Sequence, residues 1–153
     1  MSGGEAEDIR VKDLLIQLFA GGVLIIAATV IQVCFIGSMM LATPRVAGWV
    51  RQITMLKIAT VIALGGIWMI IGQLVGVWVW ALSLVWLDAF PALEVSLYFS
   101  LSAYTTLGFG DVLPSVEWRI LGALIGANGM LGFGLATAAL VEFVLKLQAT
   151  TGE

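Results

Sequence analysis

Ala103-Tyr104-Thr105-Thr106-Leu107-Gly108-Phe109-Gly110-Asp111 is the stretch that decides how the rest of this 153-residue chain is read. Two threonines precede two glycines separated by one residue, and the sequence on either side is apolar enough to lie inside a bilayer. Non-helical backbone at membrane depth is tolerated only where protein buries it or water lines it. The stretch therefore predicts the lining of a pore.

Composition puts the whole chain in the membrane. Hydrophobic residues make up 61% and charged residues 11%, more apolar surface than a globule of this size can bury. The formal net charge of −3 comes from residues at the ends and in the loops, so it argues neither for nucleic acid nor for an acidic partner. With no histidine and one cysteine, the chain has no disulfide framework, zinc site, Cys-His nucleophile or histidine base. No enzymatic activity is expected.

Outward from the decisive stretch, the chain divides by polarity. Residues 1–13 form a polar, acidic leader, expected outside the cell as a retained tail without regular structure. Residues 14–42 are almost free of charge and predict a first transmembrane helix, interrupted by Thr29 and Gln32. Gln32 is expected to form an interhelical hydrogen bond, and Cys34 to be a small buried hydrophobe. Residues 43–57 carry Arg45, Arg51 and Lys57 with no acidic residue, which predicts a cytoplasmic loop. Trp49, Val50, Ile53 and Met55 among these basic residues suggest that part of the loop is an interfacial helix.

Residues 58–147 form the pore domain. An outer helix over 58–87 ends near Trp78, Trp80 and Trp86, indoles expected at the membrane interface. Its Gln73 reads as an amide that packs helices together. A helix over 91–104 is too short to cross, so it is expected to re-enter from outside, capped by Asp88 or a neighbour and with Pro91 in its first turn. Its carboxyl end, the negative end of the helix dipole, then points to mid-membrane and favours a cation. Glu94 suits its amino end. Residues 105–111 form the loop, with Asp111 and Glu117 concentrating cations at the outer mouth. An inner helix over 118–147 and a cytoplasmic tail over 148–153 complete the chain. No span carries the spaced arginines of a voltage sensor.

Thr106-Leu107-Gly108-Phe109-Gly110-Asp111 resembles the selectivity-filter signature of tetrameric potassium channels, Thr-Val-Gly-Tyr-Gly-Asp, departing from it at Leu107 and Phe109. A dehydrated potassium ion needs a cage of oxygens in place of its water, and backbone carbonyls supply one only if successive residues aim them the same way. Gly108 and Gly110 reach φ > 0 without a Cβ penalty and so allow that alternation. One chain gives one carbonyl per level. The resemblance implies a homotetramer in the bilayer, with K+ held at Thr106, Leu107, Gly108 and Phe109, the site extending to Gly110.

The same resemblance implies roles for the neighbouring residues. Asp111 accepts a hydrogen bond from an aromatic donor on the short helix, by register Tyr98. Ser102 stands where a buried glutamate often sits behind the filter, and Thr105 and Phe99 support it. Phe109 and its expected neighbour Phe99 both lack a polar group, so the filter is expected to be less braced than usual and prone to inactivation.

Gly129 to Leu140 resembles the inner helix of small bacterial proton-gated potassium channels, and the likeness runs roughly from Glu94 to Phe143. It implies Gly129 as a gating hinge, Met130, Phe133 and Thr137 facing the cavity, and Val141 near the inner constriction. Glu142 is a candidate proton-sensitive group, though a solvated helix end explains it as well.

The expectation is an all-α, multi-pass protein of the cell's inner (plasma) membrane, with its amino terminus outside and its carboxyl terminus cytoplasmic. It has three transmembrane helices, with the re-entrant helix and filter between the second and third, around a tetrameric pore. It conducts K+ passively, with no cofactor, nucleic acid or small-molecule substrate other than ions. The alternatives are a weakly selective cation channel and a non-conducting membrane scaffold subunit.

Overall fold

A bilayer core offers no water to backbone N–H and C=O groups, so apolar segments of this length satisfy them within helices. The structure, a computed structural model, describes residues 3–50 and 55–151. It consists of α1 (Gly3–Val50), α2 (Met55–Trp86), a short α3 (Leu93–Tyr104), one 3-10 turn (Val116–Trp118) and α4 (Arg119–Thr151), with no strand among the described residues. Val11–Arg45, Ala59–Trp86 and Val116–Ala149 are long and apolar enough to cross a membrane. The shortest has 28 residues and rises about 42 Å, against roughly 30 Å of hydrocarbon.

Several boundaries differ from expectation. The leader is helical from Gly3 onward, part of α1 rather than a free tail. The basic stretch does not break at Pro44, which lies inside α1. Proline removes one backbone N–H there, and the Thr43 hydroxyl donates to the Met39 carbonyl at 3.2 Å in the same turn. The stretch continues as α1 to Val50, while Arg51 and Ile53, with the middle of the expected interfacial helix, lie outside the described residues.

Asp88 does not cap α3. It ends α2, in left-handed conformation at φ 54°. The Asp88 N–H donates to the Val85 carbonyl at 3.0 Å and the Ala89 N–H to the Leu84 carbonyl at 2.9 Å, the paired bonds of a Schellman motif. The N-cap of α3 is Ala92, without a side-chain hydrogen bond, so Pro91 precedes the helix.

α1 runs parallel to α4 and antiparallel to α2. Gln17 Oε1 accepts the Leu121 N–H at 3.3 Å, near the start of α4, and Lys146 Nζ lies 3.9 Å from Met40 Sδ toward the other end. Between α1 and α2, Phe35 and Trp68 stack at 5.1 Å, and Trp68 Nε1 donates to Ser38 Oγ at 3.0 Å. Gln32 is buried against Gly72, yet neither atom of its amide has a partner, so the expected interhelical bond is replaced by close packing. Cys34 is exposed rather than buried.

Two buried clusters hold the bundle together. Met39, Val61, Met69 and Phe143 form one; Val77, Trp80, Leu84, Leu121 and Ile125 form the other, beneath α3. Trp80 is therefore a core residue, fully buried, its indole N–H donating to Asn128 Oδ1 at 2.8 Å. Trp86 is 84% exposed. This packing places the loop after α3 at the same end of the bundle as the starts of α1 and α4.

Candidate functional site

The 12 residues of α3 rise about 18 Å and cannot cross. The helix is held from behind: Ser96 Oγ donates to the Ala81 carbonyl of α2 at 2.7 Å, and Phe99 stacks on Phe90 at 5.1 Å. Glu94 lies in its first turn. At its other end it meets α4 without any gap. A methyl group on Gly129 would overlap the Tyr104 carbonyl.

Beyond Tyr104 the backbone changes character. Thr106, Gly108 and Gly110 have φ of 59°, 56° and 77°, while Leu107 and Phe109 between them do not take positive φ. Reversal at every second residue is the pattern that turns successive peptide planes the same way instead of alternating them as in a strand. The two glycines were expected here. Thr106 was not: a β-branched residue at positive φ is strained, and its own sequence gives no sign of it.

The first turn of this loop is tied to α3. The Ser102 carbonyl accepts the Leu107 N–H at 3.0 Å and the Gly108 N–H at 3.2 Å, and the Ala103 carbonyl accepts the Thr106 N–H at 3.0 Å. Thr105 Oγ1 donates to the Leu101 carbonyl at 2.8 Å. Ser102 thus contributes its backbone. At the outer end the Tyr98 hydroxyl donates to Asp111 Oδ2 at 2.8 Å, the pairing that register implied. That bond, then desolvation, then the charge of Asp111 raise the Tyr98 pKa above its usual 10.0.

Phe99 and Phe109 are not brought together within one chain. Phe99 packs toward Phe90 and Gly122, while Phe109 is 67% and Leu107 59% exposed. On α4, Met130, Phe133, Thr137 and Val141 are all exposed and follow one helical stripe, whereas Gly129 is buried under α3. Glu142 pairs with Lys146 at 3.2 Å on the exposed end of α4.

Two contacts were not foreseen from the sequence: Trp80 with Asn128, and the Tyr104 hydroxyl, which donates to Gln73 Oε1 at 2.8 Å in a buried position. Their partners lie 48 and 31 residues apart in different helices, and no periodicity pairs them.

No curated protein and no solved structure matches the chain. Residues 70–146, from the middle of α2 through α3 and the loop into the last turns of α4, match a protein family described as ion channels. The matched region covers half of the sequence and contains every element of the site, and the chain belongs to this ion-channel, pore-loop family.

Proposed function

We propose that this channel is potassium-selective and that its filter is the carbonyl-lined loop from Thr106 to Gly110. The observation that carries the proposal is the alternation of positive φ at Thr106, Gly108 and Gly110 directly after a helix too short to cross. Carbonyls of Thr106, Leu107, Gly108 and Phe109 coordinate K+, and the dipole of α3 stabilises the ion at mid-membrane. Closing an oxygen cage takes several copies, and four around one axis supply one carbonyl each per level.

The exposed Leu107 and Phe109 find their packing against neighbouring subunits in that ring. The α4 stripe of Met130, Phe133, Thr137 and Val141 faces the cavity. Gly129 is the hinge position, and its contact with Tyr104 makes it a seat for α3 as well. The loop faces outside with the amino terminus, and the carboxyl end of α4 lies in the cytoplasm of an inner (plasma) membrane.

One observation favours the weakly selective reading. Phe109 has no hydroxyl and is not packed on Phe99 within the chain, which leaves the filter's outer half held by the Tyr98–Asp111 bond.

The test is ion flux from proteoliposomes under a potassium gradient, repeated in sodium, with barium, and with Gly108→Ala. Alanine is strained at φ 56°. Potassium flux that barium blocks and the substitution abolishes is the expected result. Equal sodium and potassium flux would support the weakly selective reading, and flux untouched by Gly108→Ala would overturn the filter assignment.

A further inference from the structure

We infer that Gln73 and Tyr104 form a latch holding the inner end of the filter, and that the bond between them sets how fast the conducting filter inactivates. The inference rests on the filter reading above and assigns Gln73, on the outer helix, as a positioning residue for it.

Tyr104 is the last residue of α3 and stands two residues before Thr106, the first positive-φ position of the loop. Whatever fixes Tyr104 fixes where the filter begins. Its main-chain carbonyl rests on Gly129. Its phenol lies between α2 and α4 in a slot left by two glycines: a methyl on Gly76 would come within 3.0 Å of the hydroxyl, and one on Gly132 within 2.8 Å. At the end of the slot the hydroxyl donates to Gln73 Oε1 at 2.8 Å, with both side chains buried.

The pair is an uneconomical way to obtain stability alone. Gln73 Nε2 is buried with no partner, and an orphaned polar group in an apolar interior is costly where an apolar pair of similar shape is not. What the bond adds is direction, fixing the phenol and with it the last turn of α3. At the far end of the filter Phe109 carries no hydroxyl and is exposed, and the tie there is the exposed Tyr98–Asp111 bond. The latch restrains the inner end, with a buried bond where the outer end has an exposed one.

The experiment compares wild type with Tyr104→Phe, Gln73→Leu and the double variant, as the full chain reconstituted in liposomes. Tyr104→Phe keeps the ring that fills the slot. Interhelical hydrogen bonds in membranes are modest, so potassium current should decay about three- to tenfold faster in either single variant. The double variant should decay no faster than the singles, because one bond is lost in all three. Thermal stability of the double variant should be unchanged or higher than wild type, since the orphaned nitrogen is gone and no hydroxyl is left without an acceptor. Unchanged decay with lowered stability would mean a packing role only and would overturn the latch.

A second measurement needs no conduction. Hydrogen exchange at the Leu107 and Gly108 amides, both held by the Ser102 carbonyl, should be faster in Tyr104→Phe than in wild type. Equal protection overturns the latch. If wild type passes no current, the potassium-channel reading fails, and amide exchange still decides whether Gln73 and Tyr104 hold the loop.

Discussion

At the scale of single residues, close contacts and unusual dihedrals discriminate where composition does not. The chain has 18 glycines, and they are not equivalent. Gly129→Ala drives a methyl into the Tyr104 carbonyl and should cost about 1–3 kcal/mol. Gly66→Ala meets nothing within 4 Å in α2 and should stabilise by about 0.5–1 kcal/mol, the usual helix-interior gain. Thermal unfolding of the two variants in detergent checks the contrast, and equal effects would remove the close-packing role of Gly129. Tyr98 offers a test by titration. Its pKa is raised in the folded protein by the bond to Asp111, so its stabilising contribution is complete below pH 10 and is lost as pH rises through the raised value. Phenolate absorbance of wild type minus Tyr98→Phe should show a step above pH 10. A step at or below 10 would mean that the bond to Asp111 is absent.

At the scale of elements, the three spans were legible because length and lack of charge suffice to recognise them. Helix ends were less so. Asp88 next to Pro91 looks like the start of α3, yet the backbone uses it to finish α2, because a left-handed residue there lets the N–H groups of Asp88 and Ala89 satisfy the carbonyls of Val85 and Leu84. Asp88→Gly should therefore be neutral or stabilising by up to about 1 kcal/mol, and Asp88→Val destabilising by about 1–2 kcal/mol. A valine variant as stable as wild type, by thermal unfolding, would contradict the left-handed assignment. The basic stretch after residue 42 misled for a related reason: Pro44 reads as a break, but α1 runs through it. The first span, without a role in the sequence, packs parallel to α4 and supplies Gln17 to the Leu121 N–H.

At the scale of the whole molecule, the loop conformation at Gly108 and Gly110 and the Tyr98–Asp111 bond were more legible than the packing around them. The proposed filter is a local object: Thr106, Gly108 and Gly110 stand at every second position of one short loop, so their spacing survives in the sequence, and the Tyr98–Asp111 bond follows from register along a short helix and loop. The supports behind it are not local. Gln73 with Tyr104, and Trp80 with Asn128, join different helices, and only the packed bundle reveals which polar residue turns inward. Selection of potassium by carbonyls from Thr106 to Phe109, proposed above, is open to direct test. The most direct measurement is the reversal potential of purified protein in a planar bilayer with potassium on one side and an equal concentration of sodium on the other. A potassium-selective filter gives a large reversal potential of the sign set by potassium; a value near zero would overturn potassium selectivity.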